Sequence, residues 1–393
     1  MKILLSAYAC EPLKGSEPEI GLQTLAAAAS LHDVWLIVKD TCVPPLRAYL
    51  AEHHLEDQVR IEPLPLGVEE RGLGLVKFHR YYERWQRKAA ALAVELDRAI
   101  DFDVVHHVTL SAYWTRVGVA AVDKPLVLGP LGGAVEVPPR LVSELGPVGA
   151  VSDLYRFVGR RLSTRRPAVR TALARTDVLF AQNSETAARL PGDHMRVRVL
   201  SNATAVDVTP PPPTKVRSKE IIFAGRLVAW KGTQLAVRTL RHLTDREATL
   251  HVLGDGPDLE RMQRAARRYG VQDRVHFAGW VARSYLLERL STAALLLNPS
   301  VHDEGGTAMA EALSLGTPVV CLDHGGPRQI VSYWPPELTA LVPPDWPRRT
   351  VRRLAAAVDH HLSTPPPVAA RSMPAQTSFA QAVLDAYKEA SEC

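Results

Sequence analysis

Short apolar runs recur along the chain. Each is followed by a glycine or polar loop and then by a stretch of helical composition. Residues 2–7, 34–38, 59–63, 102–105, 125–128, 177–181 and 197–200 read as one set of strands. Residues 221–224, the apolar half of HVLGDGPDLERM, 274–278, 294–297 and 319–322 read as a second. Helical spacing fills 22–29, part of 42–54, part of 71–100, 307–315, 348–362 and 379–392, whereas 325–327, 333–336 and 342–344 read as turns. Strand alternating with helix predicts an α/β chain, and the crossovers favour parallel sheets.

The fullest of these units lies at 294–330. A buried strand runs into a polar loop with Gly305 and Gly306, a helix begins at Thr307, and Gly316 and Pro318 stop it before the next strand. Amides that open a helix lack internal partners and carry its positive dipole end, so Gly305, Gly306 and Thr307 offer donors to a diphosphate. Glu311 follows one turn in, where it could accept from a ribose diol or serve as a solvated acid favoured by the dipole. GRLVAWKG, residues 225–232, follows the strand 221–224 and sends Arg226 and Lys231 from one sheet edge. Two cations there could clamp a diphosphate by charge-assisted bonds of about 1.5–3 kcal/mol each. The third signal is a strand ending in Gly254-Asp255-Gly256-Pro257.

These three segments, in this order, resemble the donor half of the retaining glycosyltransferases of family 4, bacterial group 1 enzymes of GT-B fold. The family carries GR then KG after a strand, a GxGP turn, and two glutamates separated by seven residues. That spacing is kept from Asp303 to Glu311, but the first acid is an aspartate and Glu304 stands where glycine is usual. Whether Asp303 or Glu304 reaches the donor sugar is therefore open. The resemblance implies two Rossmann-like domains with parallel sheets facing a cleft, and it implies donor contacts from Gly15, Gly225, Gly254, Trp280 and Val281. Trp280 would stack on the base or lie as a lid on the sheet.

Composition narrows the class. At 393 residues the chain suits two domains, and 46% hydrophobic with 23% charged residues is a globular profile. The Pro-rich stretch 208–219 separates an expected domain at 1–207 from one at 220–370, with the last helix, 379–392, returning to the first. Four cysteines without a CxxC pair suggest neither zinc nor disulfides and fit a cytoplasmic setting. The opening MKILLSAYA reads as a strand rather than a secretory signal, and no apolar run is long enough to span a membrane. A net charge of +5 suits anionic ligands, without the aromatic–basic interleaving of a nucleic-acid binder.

In the first half, Glu17 and Glu19 could contact an acceptor or simply charge a helix N-terminus. His106 and His107 end a strand where open sheets bind ligands. The resemblance gives one of them a donor-sugar contact, and a structural histidine is the alternative reading. Gly132 and Gly133 lie in a loop that similar enzymes use to shape the acceptor entrance. Lys77, Phe78, Arg80, Tyr81, Tyr82, Arg84 and Trp85 form an aromatic and basic cluster, facing either an acceptor or membrane, or the core. The arginine-rich run 138–175 could dock on an anionic lipid surface or an anionic acceptor, or form a solvated helix. The resulting expectation is metal-independent transfer of a sugar from a UDP- or GDP-sugar, with no bound cofactor. The acceptor could be a small cyclitol, a secondary metabolite, a polysaccharide or a lipid. Sugar-nucleotide epimerisation and non-enzymatic binding of membrane or nucleic acid are the alternatives.

Overall fold

A computed structural model describes residues 1–12, 16–66, 75–110, 112–190, 196–201, 218–364 and 379–392. The prolines at 210–213 and Gly15 lie outside this set. By contacts the chain forms two compact units: Met1–Ala134 with Val158–Ala205 and Thr377–Cys393, and Val135–Phe157 with Val206–Gln376.

In the first unit, seven strands lie in the order β3-β2-β1-β4-β5-β6-β7. They are β1 Lys2–Ala7, β2 Asp33–Val38, β3 Val59–Pro63, β4 Val104–Val108, β5 Leu126–Leu131, β6 Val178–Ala181 and β7 Arg196–Val199, and all pair in parallel. β4, β5 and β6 are buried throughout, as strands covered on both faces must be. One face packs α1 (Ser16–Ala29), α2 (Val43–Glu52) and the last helix; the other packs α3 (Leu75–Ile100) and α5 (Pro167–Ala174). The short α6 (Ser184–Ala187) is capped by Asn183, whose side chain accepts from the Thr186 amide at 2.8 Å.

The second unit repeats the plan with six parallel strands in the order β10-β9-β8-β11-β12-β13. They are β8 Glu220–Ala224, β9 Thr249–Leu253, β10 Val275–Gly279, β11 Leu295–Asn298, β12 Val319–Leu322 and β13 Thr339–Val342. Its helices are α7 (Thr233–His242), α8 (Leu259–Arg268), α9 (Arg283–Thr292), α10 (Thr307–Ser314), α11 (Gly325–Val331) and α12 (Pro347–Ser363). In both sheets the strand order reverses beside the first strand of the unit, between β1 and β4 and between β8 and β11. Ligands of open α/β sheets bind outside the carboxyl ends at such a switch point.

Several expectations need correction. Residues 135–157 do not stay with 1–134, because Val137, Leu141 and Leu145 are buried in the core of the second unit. The basic run is not one solvated helix. It is a 3-10 segment (Pro139–Leu145), α4 (Gly146–Ser163) and α5, and Arg160 is buried with its guanidinium on the Gly133 carbonyl at 3.0 Å. Gly325-Gly326-Pro327 opens α11 instead of making a turn, and the residues before Pro343 form β13.

The final helix, α13 (Phe379–Ser391), buries Phe379, Val383, Ala386 and Tyr387 in the first unit's core. The His106 Nε2–H donates to the Gly129 carbonyl at 2.9 Å, so Nδ1 accepts from the Tyr387 hydroxyl at 2.8 Å. Tyr387→Phe leaves that nitrogen buried and unpaired, which should cost about 1–3 kcal/mol in urea unfolding. A loss within error of zero would mean the bond contributes nothing to stability.

Candidate functional site

In the second unit the loops after β8, β9 and β11 are laced together by backbone. Leu227 N–H donates to the Asp255 carbonyl at 2.8 Å, and Asp258 N–H returns a bond to the Leu227 carbonyl at 3.0 Å. This contact explains the GDGP turn. A Cβ on Gly254 would lie 1.9 Å from the Gly225 carbonyl oxygen, and one on Gly256 2.3 Å from that of Leu227, with φ of +153° and +157°. Val301 N–H donates to the Trp230 carbonyl at 2.8 Å. Between them Gly232 turns at φ +73°, where a Cβ would lie 2.1 Å from the Pro299 carbonyl oxygen. The glycine of KG is thus a steric requirement of seating one switch-point loop on the other.

That seating sets the charges. Lys231 Nζ lies 2.6 Å from the Asp303 carboxylate, joining the loop after β8 to the loop after β11. Arg226 is exposed, and among the described residues no carboxylate pairs with it. Glu304 accepts from the Val135 amide at 3.1 Å, so the two neighbouring acids are held by different partners. No backbone acceptor among the described residues takes the amides of Gly305 or Gly306, and a Cβ on Gly305 would meet open space. Gly225 is likewise open at that position. Thr307 begins α10. The edge therefore presents two cations, orphan amides and a helix start, a set of donors suited to a polyanion.

Glu311 departs from the solvated first-turn acid. It is 4% exposed in the second turn of α10 and takes the Arg283 Nε–H at 2.8 Å. Nothing in the sequence marks Arg283, at the start of α9, because its partner is 28 residues away. Trp280 is 79% exposed beyond Gly279, whose carbonyl accepts from the Gly254 amide at 2.8 Å, and Val281 follows it half-buried. The aromatic ring is therefore not a lid packed on the sheet. Trp230 also carries no signal of its own in the sequence; the Arg156 guanidinium stacks 4.6 Å from its ring centroid.

At the first unit's switch point the histidines are core residues. His106 and His107 are fully buried in β4, and both ring nitrogens of each face protein groups. His107 Nδ1 lies 3.2 Å from Ser6 Oγ, and Nε2 lies 3.4 Å from the Tyr82 hydroxyl. Burial pulls the His106 pKa down to about 4 and that of His107 to about 3, with His106 adding to the second shift. Glu17 is engaged within the first unit. It accepts from the Leu110 amide at 2.8 Å, bracing Thr109 and Leu110 at positive φ, and burial raises its pKa. Glu19 accepts from Gln23 at 3.0 Å. Gly132 accepts from the Tyr113 amide at 3.1 Å, and Gly133 sits against Trp114 at φ +100°. The structure brings together the second unit's residues, and those of the first unit only as a braced loop.

Comparison with known proteins bears on the fold. The whole chain aligns with Anabaena HepE, solved with UDP and glucose, at TM-score 0.62 and 17% identity over 100% of this chain and 98% of that one. WaaG, a glycosyltransferase of lipopolysaccharide biosynthesis, aligns at 0.56 and 15% identity, covering 99% and 95%. The fold is that of the two-domain GT-B glycosyltransferases. Residues 210–359 match the family described as Glycosyl transferases group 1. Over 150 residues it is 35% identical to a 2-deoxystreptamine glucosyltransferase of Streptomyces kanamyceticus, covering 38% of this chain and 37% of the relative. Over 182 residues it is 33% identical to a D-inositol 3-phosphate glycosyltransferase of Xylanimonas cellulosilytica, covering 40% and 43%. The chain spans less than half the length of these curated relatives.

Two outcomes follow from the geometry. Gly232→Ala should destabilise the fold by more than the roughly 1 kcal/mol of an ordinary helix or loop change, since the Pro299 backbone must move; an unchanged melting temperature would contradict the close approach. The second outcome concerns pH. Both histidines stay neutral when folded but take up protons when unfolded, at an ordinary pKa of about 6.5. The unfolded chain then binds more protons, so stability should fall as pH drops from about 6.5 through about 4. Urea midpoints at neutral and mildly acid pH test this, and a midpoint that holds or rises on acidification would refute it.

Proposed function

We propose that this protein is a retaining glycosyltransferase that moves a sugar from a nucleoside-diphosphate sugar to a hydroxyl of an acceptor. The observation that carries the reading is the Lys231–Asp303 pair across the β8/β11 switch point, beside Arg226 and the orphan amides of the loop before α10. Breaking the bond between the anomeric carbon and the diphosphate leaves its electron pair on a phosphate oxygen. Arg226, Lys231, the amides from Gly305 to Thr307 and the α10 dipole stabilise that charge. The acceptor oxygen attacks the anomeric carbon from the same face, and its proton passes to the departing phosphate. This charge stabilisation comes from side chains and amides, so we take the reaction to be metal-independent.

Glu311, oriented by Arg283, receives the ribose hydroxyls, and the exposed Trp280 with Val281 frames the base. Orientation of the sugar falls to Asp303 and Glu304, rather than to His106 or His107, whose nitrogens are engaged in the core. HepE was solved with UDP, which favours a UDP-sugar over a GDP-sugar as donor. The acceptors named for the curated relatives, 2-deoxystreptamine and D-inositol 3-phosphate, favour a small cyclitol here. Among the described residues no helix is long and apolar enough to cross a membrane. We place the protein in the cytoplasm. Peripheral contact with a membrane is a second reading, favoured by Val148, Val151 and Leu154, which are 85%, 69% and 61% exposed on α4.

Arg226→Ala should lower kcat/KM by roughly 10²-fold or more, the cost of removing a preorganised charge donor. Turnover near wild type in a coupled nucleotide-release assay would remove Arg226 from this role. Product analysis with donor alone separates transfer from epimerisation, since an epimerase consumes no acceptor.

A further inference from the structure

The aromatic and basic cluster on α3 is divided by the helix. Tyr82 and Trp85 turn inward and meet Tyr8 edge-on at 5.3 and 5.2 Å, while Lys77, Arg80, Arg84 and Arg87 are exposed. Those four cations sit at i, i+3, i+7 and i+10, so like charges are neighbours along one face, a spacing that disfavours the helix. Opposite them, Arg116 from the segment following β4 and Arg166 before α5 complete a groove of about 910 Å³. Among its described lining residues the one acid is Glu83, which serves Arg116 at 3.2 Å, Arg166 at 3.1 Å and Arg87 at 3.9 Å. One carboxylate against five guanidiniums leaves a strong positive excess. Among the described residues no acid pairs with Arg80 or Arg84. The groove has the volume of a small-ligand site, and planar guanidinium forks match phosphate oxygens.

We propose that this groove, lying wholly in the first unit, is a second anion site that binds a phosphate-bearing ligand, separate from the nucleotide site of the second unit. Its chemistry is that of a phosphate ester, whether on a soluble molecule or on a lipid headgroup. His79 lines the groove and stacks on Trp114 with ring centroids 5.4 Å apart, which holds its ring in one plane. Burial lowers the His79 pKa, so the arginines carry the charge at neutral pH.

The test is titration of the full chain with inorganic tripolyphosphate in saturating UDP, and flotation with phosphatidylcholine vesicles with and without one-third phosphatidylglycerol. Arg80→Gln with Arg84→Gln should weaken tripolyphosphate binding by about tenfold or more, as expected for losing charge-assisted bonds. The corresponding Lys pair should keep most of the binding, and Arg226→Gln should leave it unchanged. Binding of tripolyphosphate alone assigns the soluble source, and binding of acidic vesicles that is lost in the Gln pair assigns the headgroup. Equal binding by wild type and the folded Gln pair, or binding of neither probe by wild type, overturns the site. Should UDP fail to bind, the proposed transfer falls, while the comparison of groove variants still reads the groove.

Discussion

Parallel strands oblige every strand to end at the same edge of its sheet, and the rest of this protein follows from that constraint. The crossovers return mostly through helices, so each loop leaving a carboxyl end opens onto one rim, where helix starts leave amides without partners. Where strand order reverses, neighbouring loops diverge and the rim opens. The second unit fills that opening with Arg226, Lys231, Asp303, Glu304 and two glycines; the first fills it with a braced turn at Thr109–Leu110 and buried histidines. The same architecture thus gives one polar, receptive rim and one that is largely built in.

Backbone lacing holds the receptive rim in shape. Gly232 of KG and the two glycines of GDGP look like flexible punctuation in the sequence, yet each sits where another chain segment passes too close for a side chain. Rigidity at this edge has a chemical use: donors fixed before a charge develops need not reorganise when it does. The Lys231–Asp303 pair belongs to the same scheme, since it restrains a long cationic side chain at the lip of a loop.

Much of this is legible in the sequence because buried parallel strands are written as short apolar runs, and because steric demands on glycine are strict. The strands from 2–7 to 319–322 appear where the runs predict them. What is not legible depends on partners distant in sequence. β13 reads as a turn because its prolines follow the strand closely, and α11 does so because Gly325 and Gly326 mask a helix start. α1 begins at Ser16, ahead of the predicted 22, since Glu17-Pro18-Glu19 suits a first helical turn. The sequence shows the histidines' strand end but not Tyr387, which bonds His106 from 281 residues away. Arg283 is silent for the same reason: its value lies in Glu311.

The placement of α13 has a consequence for biosynthesis. Tyr387 and its neighbours fill a face of the first sheet, yet they leave the ribosome only after the entire second unit has been made. The sheet that is translated first therefore waits with an uncovered apolar groove over β4, while a complete second core of its own kind, built from similar parallel strands, emerges behind it. Native packing of that face is thereby tied to a segment that follows the whole second unit in the chain.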